Sequence, residues 1–187
     1  MKRIASVILT GALILSMGAA AFAATPSKTV ADEIKAVAAV ETTGFDRVSI
    51  STEETEATVA QSAKVVAELA SSNEELKEAV GATAEEKVEI TAVQTVTIEQ
   101  TPLFNRTEAT VSLSSAVIDA AYKENEQVTV LVMVPVVGKD GTVTYEKITV
   151  TGVVKNGKVQ VKLTGAQLKK IGKKSVTLVA TKKTAKV

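Results

Sequence analysis

Three short runs of glutamate are the first residues whose type and spacing could do chemistry: Glu53, Glu54 and Glu56; Glu74, Glu75 and Glu78; Glu85, Glu86 and Glu89. Two carboxylates facing one another across a sugar cleft can serve as acid and base in glycoside hydrolysis. Such clefts are floored by aromatic rings. Beyond position 23 the chain offers only Phe45, Phe104, Tyr122 and Tyr145, with no tryptophan. The competing reading places these glutamates in the first turns of predicted helices. There a negative charge meets the positive end of the helix dipole and stabilises by about 0.3 to 1 kcal/mol. The structural reading is preferred, and a carboxylate-only hydrolase is kept as an unfavoured alternative.

The remaining catalytic inventory is sparse. There is no histidine and no cysteine, which excludes Ser-His-Asp and Cys-His sites, histidine-ligated zinc and disulfide staples. No serine is followed three residues later by lysine, and no glycine-rich phosphate loop occurs. The aspartates Asp32, Asp46, Asp119 and Asp140 are too scattered for a calcium loop. The expectation is therefore a protein that is not an enzyme, with no cofactor and no metal.

Charge is distributed unevenly. Residues 24–110 hold 7 Lys+Arg against 16 Asp+Glu, and residues 111–187 hold 13 against 5. Within the basic half, Lys169, Lys170, Lys173, Lys174, Lys182 and Lys183 are the candidate anion-binding residues. Lysine lacks arginine's bidentate fork, so such a surface would act as a salt-sensitive set of point charges. An anionic cell-envelope polymer, or another envelope protein, is the expected partner. Nucleic acid is not expected, because aromatic residues for stacking do not interleave with the lysines. The competing reading is a solvated face, with Leu168 and Ile171 turned inward and lysines guarding edge strands against aggregation.

The elements that must position these residues change character near position 86. Upstream, Ser51-Thr52-Glu53-Glu54 and Ser72-Asn73-Glu74-Glu75 fit capping boxes. They predict a helix to about Ala70 with Val59, Ala63, Val66, Ala67 and Ala70 on its buried face, then a short helix carrying Leu76, Ala79 and Val80 and stopped by Gly81. Residues 29–40 fit either helix or strand, with helix favoured. Val48 and Ile50 suggest a short strand. Downstream the period becomes two. Val88, Ile90, Ala92, Val96 and Ile98 predict one dry strand face, and 128–137 reads as a strand buried on both faces. The loop at Gly138-Lys139-Asp140-Gly141 predicts a hairpin placing Val136 opposite Val143, with a bulge or a change of sheet between Tyr145 and Ile148. Asn156-Gly157 predicts a type I′ turn. Val111 to Ile118 is echoed fifty residues later by Val161 to Leu168, each copy reading strand, helical turn, strand.

About seven strands fall between 88 and 181, the size and strand number of an immunoglobulin-like sandwich. The fold class expected is α+β: a signal peptide over 1–23, an acidic helical region over 24–86 and an antiparallel β-sandwich over 87–187. Met1-Lys2-Arg3, the apolar stretch from Ile4 to Met17 and the closing Ala21-Phe22-Ala23 carry the pattern of a cleaved secretory signal of bacterial type. No membrane span is expected after cleavage. These features predict a secreted, non-catalytic binding or structural module at the cell surface or outside the cell. An alternative is a scaffold that self-associates through the opposite charges of its two halves.

Overall fold

In the computed structural model the described residues are 33–44 and 47–185; the predicted signal peptide lies outside them. The elements are β1 (Val37–Thr43), β2 (Ser49–Ser51), α1 (Glu56–Ser71), α2 (Asn73–Val80), β3 (Glu86–Gln100), β4 (Glu108–Ser114), α3 (Ile118–Ala121), β5 (Gln127–Val137), β6 (Val143–Lys155), β7 (Lys158–Thr164), α4 (Gly165–Ile171) and β8 (Ser175–Ala185). All the strands belong to one antiparallel sheet of order β1-β4-β7-β6-β5-β8-β3-β2. The sheet curls almost into a barrel. Lys35, just before β1, forms a parallel bridge to Val93 of β3, and the Ala36 amide donates to the Val93 carbonyl at 2.9 Å. The expected antiparallel, β-rich character is present, but its hydrogen bonding runs through one curled sheet. That sheet also recruits β1 and β2 from the region read as helical.

Curling gives the sheet two apolar faces. The inner face is filled by branched and small side chains, among them Val111, Leu113, Val130, Val161, Leu163 and Leu178. On the outer face Val93, Leu131, Met133 and Val179 pack beneath Val65, Leu69, Leu76 and Val80 of α1 and α2. This double covering explains two departures from the predicted pattern. First, β3 shifts register between Ile90 and Ala92, so Val88 and Ile90 serve the outer cluster while Ala92, Val96 and Ile98 serve the inner one. The single dry face is thus two half-faces joined at a bulge. Second, β6 pairs with β5 in unbroken register, with Val136 opposite Thr144 and Val137 opposite Val143. There is no bulge at 145–148: Tyr145 packs against the outer cluster and Ile148 against the inner one. The expected pairing of Val136 with Val143 is off by one residue.

The helices also differ in detail. The described part of 29–40 becomes strand from Val37 onward, because its small apolar residues complete the inner wall against β4. Ser51 belongs to β2, and α1 is capped instead by Thr55, which exchanges hydrogen bonds with Thr58 at 2.8 and 3.2 Å. The face of α1 turned to the sheet carries Thr58, Val65 and Leu69, whereas Val59 is exposed. A mixed face is selected because the sheet below presents threonines. Ser62 Oγ meets Thr95 Oγ1 at 2.7 Å, Thr95 Oγ1 meets Thr177 Oγ1 at 2.8 Å, and Gln61 Nε2 donates to the Ser175 carbonyl at 2.9 Å. Hydroxyls buried under a helix must find partners, and α1 supplies them. The α2 stop at Gly81 is as expected, with φ 64°.

The fifty-residue echo has a structural counterpart. β3-β4-α3-β5 and β6-β7-α4-β8 are two ββαβ units related by an approximate twofold. Val111 lies opposite Val161 in the β4–β7 pair. In the β5–β8 pair, Thr129 opposite Thr181 is mirrored by Met133 opposite Thr177. The β3–β8 ladder and the β6–β5 ladder both join one unit to the other and answer each other. Ile118 of α3 and Leu168 of α4 hold equivalent, fully buried places. In the second unit Asn156 and Gly157, at φ 51° and 68°, join β6 to β7 directly. In the first, β1 pairs along β4 on the side towards β3.

Candidate functional site

The six candidate lysines divide into two groups. Strand β8 carries Lys182 and Lys183 near its end, while Lys169 and Lys170 sit on α4 and Lys173 and Lys174 just before β8. At about 3.4 Å per residue the two groups are roughly 25 Å apart. They are not one patch.

At the far end Lys182 lies over the Tyr122 ring, its Nζ 5.1 Å from the centroid, and Lys183 Nζ donates to the carbonyls of Val80 and Gly81 at 3.4 Å. The latter contact meets orphan carbonyls at the C-terminus of α2. The Tyr122 phenol sits on Thr91 Oγ1 at 2.8 Å. Burial pushes its pKa up to about 12, against the opposing effect of the Thr91 hydrogen bond. These two lysines are engaged in structural contacts.

At the near end Lys170 pairs with Glu146 at 2.7 Å and Lys174 Nζ donates to the Pro135 carbonyl at 3.2 Å. Lys169 and Lys173 are exposed, and neither forms an ion pair among the described residues. Helix α4 places them because its Thr164–Gln167 capping box fixes its start and Leu168 and Ile171 plug the barrel. The lysines are thereby forced outward. Sequence reading missed the exposed apolar side chains at this end, Val136, Val137 and Val143 next to the turn of the β5–β6 hairpin. The signal was available in the valines that continue up to the turn of that hairpin.

The glutamate runs do not converge. Glu56, Glu74 and Glu75 occupy first turns of helices, as expected, but Glu53 and Glu54 precede α1, Glu78 lies in the last turn of α2, Glu85 is in the turn before β3, and Glu86 and Glu89 belong to β3. The Glu75 carboxyl is held below its usual range by the Lys147 ammonium, 2.8 Å away, and that of Glu86 by the Thr83 amide. A shallow depression of about 420 Å³ opens where β1 and β2 part, lined by Lys35, Val37, Ala38, Thr52, Glu54 and Gln94. The Lys35–Glu54 ion pair, at 2.7 Å, forms part of its wall. It holds one carboxylate, already paired with a cation. No group of three or more potential metal ligands occurs among the described residues, nor is any helix there long and apolar enough to cross a membrane. In comparisons with known proteins, no family model, curated protein or solved structure matches the chain.

Proposed function

We propose that this chain is an exported, non-catalytic module of the cell envelope that attaches through the α4 end of its barrel to an anionic envelope component. The observation that carries the reading is the position of Lys169 and Lys173, which are exposed and outside every ion pair among the described residues, beside Lys174 at the same end. The signal-like segment over 1–23 and the absence of histidine and cysteine support export and a binding role. Lysine charges on an exposed rim give attraction that salt weakens, since screening reaches about 10 Å at 0.1 M. Fractionating the source cells tests this directly. The protein is expected in the envelope fraction, released by moderate salt. Recovery in the cytosol, or retention that salt leaves untouched, would overturn the reading.

A further inference from the structure

The end of the barrel that carries α4 is amphipathic as well as basic. Pairing of β5 with β8 stops at Met133, and pairing of β6 with β7 reaches only Gly152. Met133 and Val134 are still buried in the core, and from Pro135 to Val137 the β5–β6 hairpin runs on as a two-stranded ribbon, about 7 Å at 3.4 Å per residue. A ribbon with water on both faces should be polar. This one carries Val136, Val137 and Val143, all exposed, with Val137 at 67%, directly behind the turn that holds Lys139 and Asp140. A second apolar tip stands on the other side of α4. Leu103 and Phe104, in the β3–β4 loop, are 78% and 66% exposed. That loop is seated on the helix itself: a Cβ on Gly165 would fall 2.8 Å from the Thr107 carbonyl oxygen and 2.9 Å from Asn105 Cα. Lys174 and Lys170 tie the other flank of α4 to the ribbon base through Pro135 and Glu146.

From this arrangement we infer that the anionic component is a lipid bilayer surface. The ribbon valines and the Leu103–Phe104 tip enter the boundary between headgroups and acyl chains, Lys169, Lys173 and Lys174 form the collar that meets lipid phosphates, and Lys139 in the ribbon's turn bends its long side chain back towards the headgroups. A soluble polyanion gives the lysines a partner but leaves the large apolar side chains of both tips in water. An anionic lipid surface satisfies both, because interfacial binding draws on apolar burial and on electrostatic attraction together. The inference rests on the proposed attachment through the α4 end.

The chain has no tryptophan, so Val137→Trp supplies a single fluorescent reporter at the ribbon tip. Residues 24–187, which include every described residue, would be titrated with phosphatidylcholine vesicles with and without about one third phosphatidylglycerol. A parallel titration would use soluble polyglycerol phosphate. The expected result is binding to the anionic vesicles at least about tenfold tighter than to the neutral ones, with the indole emission moved to shorter wavelength and quenched by brominated acyl chains. Replacing Leu103 and Phe104 by serine in the unlabelled chain should weaken vesicle binding at least about tenfold, through lost apolar burial, and leave polyglycerol phosphate binding unchanged. Thermal unfolding of the serine variant, and of one with Leu103→Ser alone, separates lost binding from lost folding. Bound protein in which the indole of the Val137→Trp variant still emits as it does in water, or serine variants that bind vesicles like the parent, would overturn the inference. So would retention on envelope material stripped of lipid, an outcome that leaves the α4-end attachment intact and assigns it to a polymer.

Discussion

Two buried residues give the sharpest tests at the scale of single side chains. Tyr122 keeps its phenol neutral in the barrel, with a pKa of about 12 against about 10 in an unfolded chain. The unfolded state therefore loses the proton first. The contribution is complete below about pH 10 and is lost as the pH rises to about 12, amounting to roughly 2–3 kcal/mol at about 1.36 kcal/mol per pH unit. Tyr122→Phe should cost about 1 kcal/mol at neutral pH, because Thr91 keeps its bond to the Ala180 carbonyl and loses only the phenol. Denaturant unfolding at about pH 7 and about pH 11 checks this: the gap between parent and variant should close or reverse at the higher pH, and a constant gap would contradict it. Gly165 is needed for space. An alanine there would gain up to about 1 kcal/mol of helix propensity. It would also force backbone to yield at Thr107 and Asn105, costing about 1–3 kcal/mol. A net loss of stability in Gly165→Ala is expected, and a stabilised variant would mean that the loop does not sit on α4. The sequence reads Tyr122 as a ring packed in the core with its hydroxyl near the rim, and the ring is buried in the inner cluster; its partner Thr91 and the role of Gly165 were not legible, since close approaches between residues about thirty and about sixty positions apart leave no local trace.

At the scale of elements, what the sequence revealed is what local physics decides. The Asn156-Gly157 turn, the Gly81 stop and the paired strand, helical turn, strand units were all readable, because each depends on residues within a few positions. What it hid depends on neighbours far along the chain. The buried face of α1 was misread, since Ser62 and Gln61 face the sheet only because Thr95, Ser175 and Thr177 await them there. The phase change in β6 looked like a bulge because a sheet covered on both faces has apolar residues on both. The same geometry predicts where α1 is anchored. Leu69 is buried in the outer cluster with Leu131, Met133 and Val179, so Leu69→Ala should cost about 2–5 kcal/mol. Val59→Ala on the exposed side should cost little. Thermal unfolding of the two variants checks the assignment, and equal losses would contradict it.

For the whole molecule, ring closure changes how the charge asymmetry is understood. In the sheet the basic strands β7, β6, β5 and β8 lie together, flanked by β1 and β4 on one side and β3 and β2 on the other, and Lys147–Glu75 and Lys162–Glu108 are ion pairs that cross between the two halves. A dipole along the sequence is thus partly cancelled within the fold. Exposed lysines outside every ion pair among the described residues remain at both ends, Lys169 and Lys173 beside α4 and Lys123, Lys155 and Lys158 at the opposite end. Closure also means that residues 87–187 lack β1 and β2 and expose the outer cluster beneath α1 and α2. That fragment should bind a hydrophobic dye and associate as its concentration rises, because an open strand edge invites pairing. A monodisperse, dye-silent fragment would show the preceding residues to be dispensable. The most direct measurement on the central claim compares two charge reversals in retention on envelope material at low salt. Reversing Lys169, Lys173 and Lys174 to glutamate is expected to lower retention at least about tenfold, whereas reversing Lys123, Lys155 and Lys158 at the opposite end should change it little, since attraction falls off within about a Debye length. Equal losses in both variants, or no loss in either, would contradict attachment through the α4 end.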